Sequence, residues 1–219
     1  MRKWIPLVII AVAFIASAAV YSDLPARVPS HWNVAGEIDG WMNKEWGAFV
    51  MPLTLIGLLA MLHVLPRIDP RGANYAKFRG TFETVMVTTM AFLLGVHLIM
   101  LAIALGKDVS MSRVIPMGIG LLLIVLGNLM PRTRSNWFVG LRTPWTLSSD
   151  RVWERTHRLG GRLLVAAGAL VVLTGIFAPL QFETVLIASA VCISVVVFAY
   201  SYIIWRNDPD ARKNTANRA

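Results

Sequence analysis

Charge is what this chain has least of. Only 15% of its 219 residues are Asp, Glu, Lys or Arg, against about a quarter in an average soluble domain. Cysteine is nearly missing too: Cys192 is the single one, so no disulfide framework can form within the chain. No tract of five or more consecutive basic residues occurs, so the formal charge of +9 does not point to nucleic acid. H-E-x-x-H and G-x-S-x-G are absent, and no acidic pair falls inside an apolar run. These absences leave no catalytic residue, no cofactor and no metal to assign.

What is present instead is hydrocarbon. Hydrophobic residues make up 56% of the chain, and the mean hydropathy is +0.61. Six runs contain no Asp, Glu, Lys or Arg: Trp4–Ser22, Trp46–Leu65, Thr84–Leu105, Val114–Met130, Leu163–Leu180 and Thr184–Trp205. They are 19, 20, 22, 17, 18 and 22 residues long. A bilayer core takes roughly 20 apolar residues of helix, with about 17 to 25 tolerated. The expected fold class is therefore all-α, a polytopic membrane bundle of about six helices. Arg2-Lys3 and Ala16-Ser17-Ala18 also fit a signal peptide, but the first run is longer than a usual h-region. Trp4, Trp46 and Trp205 stand at run ends, where amphipathic rings favour the interface.

Lys and Arg mark cytoplasmic loops. The N-terminus, the loops 66–83 and 131–162, and the tail after Trp205 together hold 17 of the 21. Both termini are expected to be cytoplasmic. The domain reading is a three-helix part over 1–105 with an outer loop at 23–45. A core over 106–205 with an inner loop at 131–162 follows, and then a charged tail over 206–219.

The outer loop, "DLPARVPSHWNVAGEIDGWMNKEWG", has Pro25 and Pro29 to keep it extended, and Asn33, Gly36 and Asp39-Gly40 to turn it. It is expected to be compact and irregular. Its Trp32 and Trp41 lie outside the runs and suit either a recognition surface for an apolar or cationic ligand or a plug on the helix ends. His31, Glu37 and Asp39 match no standard metal spacing.

The inner loop is "PRTRSNWFVGLRTPWTLSSDRVWERTHRLGG". Asn128 and Pro131 close the preceding helix, and Gly140 and Thr143-Pro144 give turns and extended chain. Ser148 or Ser149 caps a helix from about Asp150. Arg151, Arg155, Arg158 and Arg162 form one stripe on it, suited to anionic membrane lipids. Glu154 stands four residues before Arg158 and three before His157. Glu154 and His157 resemble half of a di-metal site, though a structural hydrogen bond suits them better and no second half exists. Gly160-Gly161 permits a bend before the fifth run. His63 lies near a run end and His97 lies deeper, placed either for a ligand or proton role or for a helix–helix hydrogen bond.

At these residues the sequence resembles a known family. "GNLMPRTRSNWFVGLRTPWTLSSDRVWERTHRLGGRLLVAAG" is similar to the core of the SdpI-type immunity proteins, and "LPARVPSHWNVAGEIDGW" to the domain of unknown function that often precedes it. The resemblance implies a bacterial membrane protein that gives resistance to a secreted toxic peptide outside the cytoplasm. It also implies a second partner, a cytoplasmic repressor to which the toxin's presence is relayed. The implied signature positions are Asn128, Pro131, Asn136, Gly140, Arg142, Thr143, Pro144, Trp145, Thr146, Trp153, His157 and Gly160, with Pro29, His31, Asn33, Gly36 and Asp39 outside. A transporter or flippase, or an intramembrane enzyme, remain alternatives. The candidate binding residues are thus His31, Trp32, Asn33, Gly36, Asp39, Trp41, His97, Asn128, Asn136, Arg142, Thr143, Pro144, Trp145, Trp153, Glu154 and His157.

Overall fold

The computed structural model describes residues 4–33 and 35–208. Arg2, Lys3 and the tail beyond Asp208, which enter the charge count, lie outside the described residues.

The order is α1 (Ile5–Val20), β1 (Arg27–Trp32), β2 (Ile38–Asn43), α2 (Lys44–Ile68), α3 (Tyr75–Ala104), α4 (Met111–Leu129), α5 (Pro144–Ser148), α6 (Asp150–Phe177) and α7 (Phe182–Arg206). Among the described residues, six helices are long and apolar enough to cross a membrane, all but the short α5. The chain is a multi-pass membrane protein, as the apolar runs require. α7 exposes Ile187, Val191, Val195, Phe198 and Ile203, which suits a helix facing acyl chains.

Helices α1, α2 and α3 pack on one another, and α6 packs on both α4 and α7. Ile9, Ala13, Leu55 and Met90 form the buried centre of the first group. Small residues let the α4 and α6 backbones meet: Gly120 and Gly127 of α4 face Gly168 and Gly161 of α6. One buried polar contact links the first group. The Ser17 hydroxyl donates to the Ala48 carbonyl at 2.6 Å and meets His97 Nε2 at 2.8 Å. His97 is fully buried there, in a helix–helix hydrogen bond.

Three expectations need correction. The outer loop is not irregular: β1 and β2 form an antiparallel hairpin, a small sheet added to the helical bundle. Strand alternation was hidden by Pro29 and by the register shifts between Pro29 and Trp32. Second, Gly160-Gly161 does not bend the chain; α6 runs unbroken through it. The missing side chains are used for close approach, since Leu141 lies against Gly160 and Gly127 against Gly161. Third, the chain after Thr143 is not extended but forms α5. Thr143 caps it by accepting from the Thr146 amide at 3.1 Å, and Pro144 takes the first helical position, where no amide is needed.

Candidate functional sites at the two membrane faces

At one face, residues 130–149 fold into a cap. Asn136 is fully buried and bonds the backbone on both sides of it, with the Tyr75 hydroxyl a further donor 3.4 Å from its Oδ1. Its Nδ2 donates to the Arg134 and Val139 carbonyls, each at 2.8 Å, and its Oδ1 accepts from the Phe138 and Val139 amides at 2.9 and 2.6 Å. The adjacent α2–α3 turn supplies the rest. Asp69, 6% exposed, accepts from the Trp137 amide at 2.9 Å, the Arg71 amide at 2.7 Å and the Tyr75 hydroxyl at 3.1 Å. Arg71 donates to Ser135 Oγ and the Leu147 carbonyl, and Asn74 donates to the Ser135 carbonyl. A buried carboxylate that accepts three bonds is satisfied rather than stranded.

The α6 side of the cap is built from Trp153 and His157, whose rings stack with centroids 3.9 Å apart. Trp153 Nε1 donates to the Thr133 carbonyl at 3.3 Å. His157 Nε2 accepts from the Leu141 amide at 2.9 Å, so the ring proton sits on Nδ1, which donates to the Trp153 carbonyl at 2.8 Å. Both nitrogens are therefore occupied by backbone. Gly140 at φ +118° allows Leu141 to reach the ring, since a β-carbon there would stand 2.4 Å from Nε2. Glu154 is exposed and pairs with Arg134 at 3.6 Å, so Glu154 and His157 point apart. Thr143 Oγ1 donates to Ser201 Oγ at 3.0 Å, and Trp145 packs edge-on against Phe198 at 4.7 Å, tying the cap to α7. Arg142 is exposed and donates to the Trp137 carbonyl at 2.6 Å. Asn128 stays apart from this network, bonding the Ile124 carbonyl of its own helix.

The opposite face carries the hairpin. His31 Nδ1 and Asp39 Oδ1 are 2.5 Å apart across the strands. Asn33 and Glu37 pair side chain to side chain at 2.9 Å over the turn, and Gly36 takes φ +84° there. Trp32 packs on the core of Leu24, Val28, Ala48, Met100 and Leu101, whereas Trp41 is exposed. The two tryptophans are thus not equivalent. A cavity of about 620 Å³ opens beside the hairpin, walled by His31, Trp32, Asp39, Ile115, Phe182 and Glu183 among others.

Most of the inner set is brought together by the fold: Asn136, Arg142, Thr143, Pro144, Trp145, Trp153 and His157. His31, Trp32, Asn33 and Asp39 gather at the hairpin cavity, and Gly36 sits in the adjoining turn. Sequence reasoning missed Asp69, Arg71 and Tyr75 on the cap and Phe182 and Glu183 at the cavity. "DPR" at 69–71 offered one signal, an acid and a base on either side of a proline.

These features define a multi-pass membrane helix bundle closed at one face by a polar-aromatic cap and carrying a hairpin cavity at the other. Residues 132–203, which hold most of that cap with α6 and most of α7, match the SdpI/YfhL protein family, and residues 8–56 match a domain of unknown function, DUF1648. The resemblance carried by the two motifs therefore holds, in the order they suggested. The immunity protein SdpI of Bacillus subtilis (strain 168) is 27% identical over 176 residues, which is 80% of this chain and 82% of that protein. No solved structure matches the chain.

Proposed function

We propose that this chain is a membrane immunity protein, protecting the cell that carries it from a membrane-active peptide met at the hairpin face. The observation that carries the reading is the similarity to a protein named for immunity, which extends over 80% of the chain. The positive-inside rule supports the orientation: among the described residues, 12 of 16 Lys and Arg fall on segments that share the cap's face. The cap is then cytoplasmic and the cavity is outside. Its Asp39 and Glu183 beside Trp32 and Phe182 suit a peptide with a cationic group next to an apolar one.

The test is survival of a sensitive host expressing the chain, against a panel of membrane-active peptides. Protection against at least one peptide is expected, with loss in His31→Ala and in Glu183→Gln while the protein stays inserted. Protection by none of the panel would count against immunity. Protection that both variants keep would move the meeting point away from the cavity.

The same reading gives the cap a second role, relay to a cytoplasmic repressor. Its support is the surface of Trp137, Phe138 and Arg142, since Trp137 keeps 47% of its area exposed. A relay further requires that the peptide bind two arrangements of the helices with different affinity. Loss of repressor capture with intact protection in Trp137→Ala is the expected outcome.

A further inference from the structure

We propose that the groove between α6 and α7, lined by Arg155, Arg158, Leu159, Arg162 and Tyr200, is a binding site for the phosphate headgroup of an anionic membrane lipid.

The charge pattern comes first. Four arginines form the stripe at the start of α6. Arg151 finds a carboxylate, Asp208, at 3.7 Å, and neighbouring Arg134 finds Glu154 at 3.6 Å. Among the described residues no carboxylate pairs with Arg155, Arg158 or Arg162. All three are exposed, and they line one groove. Like charges one turn apart on a helix repel, and more so beside a bilayer, where screening by water is weaker. An anion between them removes that cost. Guanidinium groups match phosphate oxygens in paired hydrogen bonds, and a tyrosine hydroxyl adds a donor.

Depth and shape then choose among anions. The groove holds about 310 Å³, on the order of ten water volumes. That is room for a headgroup and not for a folded partner. Arg162 directly precedes the apolar run that begins at Leu163. Tyr200 lies five residues inside Trp205, roughly 7–8 Å along the helix. The site therefore straddles the boundary between headgroups and hydrocarbon. It opens sideways onto apolar surface: Ala166 and Leu170 continue the arginine stripe on α6, and Val196 and Ile203 flank Tyr200 on α7, all four exposed. A free phosphate would use the arginines and leave those faces unused. A lipid uses both, its phosphate on the arginines and its chains on the helices.

The test uses the full chain, purified in mild detergent and analysed by native mass spectrometry with phosphatidylglycerol or phosphatidylcholine. Retention of phosphatidylglycerol over phosphatidylcholine is expected. The Arg155→Gln/Arg158→Gln/Arg162→Gln variant should bind it more weakly by roughly tenfold or more. Arg158→Gln alone should show a smaller loss in the same direction, which keeps the test available if the triple variant does not fold. Lys107→Gln, at the other face, should bind as the parent does. Soluble glycerol phosphate should compete poorly. Equal retention of both lipids, an Arg158→Gln variant that binds as the parent does, or competition by glycerol phosphate at lipid-like concentrations would each overturn the assignment.

Discussion

A β-carbon on Gly161 would stand 2.5 Å from the carbonyl oxygen of Gly127, and one on Gly127 would stand 2.6 Å from the carbonyl oxygen of Gly161. Seven residues along each helix, Gly120 and Gly168 repeat the contact at 2.6 and 2.5 Å. The seam between α4 and α6 is therefore made by backbone on backbone. Gly127→Ala or Gly161→Ala must push the helices apart, at a cost of about 1–3 kcal/mol. A lower melting temperature of detergent-solubilised protein is the expected reading. Gly57→Ala is the control: nothing lies within 4 Å of its added carbon, and helix propensity favours alanine by about 1 kcal/mol. Equal behaviour of Gly57→Ala and Gly161→Ala would refute the seam.

Asp69 holds the α2–α3 turn to the cap. Asp69→Ala strands the Trp137 amide, leaves the Tyr75 hydroxyl only its longer contact with Asn136 Oδ1 at 3.4 Å, and should destabilise the protein by about 1–3 kcal/mol. Proteolysis between residues 131 and 149 should accelerate in the variant, because the cap loses its anchor before the helices separate. An unchanged digestion rate would count against this role.

Arg142 and Trp145 lie three residues apart and differ in burial. Arg142→Ala loses one exposed hydrogen bond, worth about 0.5–1.5 kcal/mol at most. Trp145→Ala removes the ring that packs on Phe198 and Tyr202, with a loss of about 3 kcal/mol. Thermal melts of the two variants should separate clearly. Equal shifts would show that the cap's grip on α7 does not run through Trp145.

Orientation can be read by labelling. Cys192 must first be changed to Ser, since it is the native thiol and is exposed on α7. In that background Lys107→Cys should react with a membrane-impermeant maleimide in intact cells. Ser148→Cys should react only after lysis. The reverse pattern would invert the topology and place the cap outside.

The helices were legible because bilayer thickness writes itself into run length, and each of the six apolar runs became part of a long helix. The inner loop was legible in part: Ser149 does cap a helix that starts at Asp150. Its architecture was not. Asp69 lies 68 residues before Trp137, and no local pattern reports which distant loop completes a network. The hairpin was missed for the opposite reason: its signal is local but short, and Pro29 masks it. Gly160-Gly161 was misread as a joint because glycine serves bending and close packing alike, and only the facing α4 glycines tell them apart.

The absence of that joint has a mechanical consequence. Twenty-eight residues of unbroken α6 measure about 42 Å, against about 30 Å of hydrocarbon. The helix is a single strut, with Trp153 and His157 near one tip and Phe177 at the other. A flexible hinge at Gly160-Gly161 would have insulated the tips. Without it, a tilt imposed near Phe177 is expected to move the His157 end as well, and the Leu141–His157 bond joins that end to the cap.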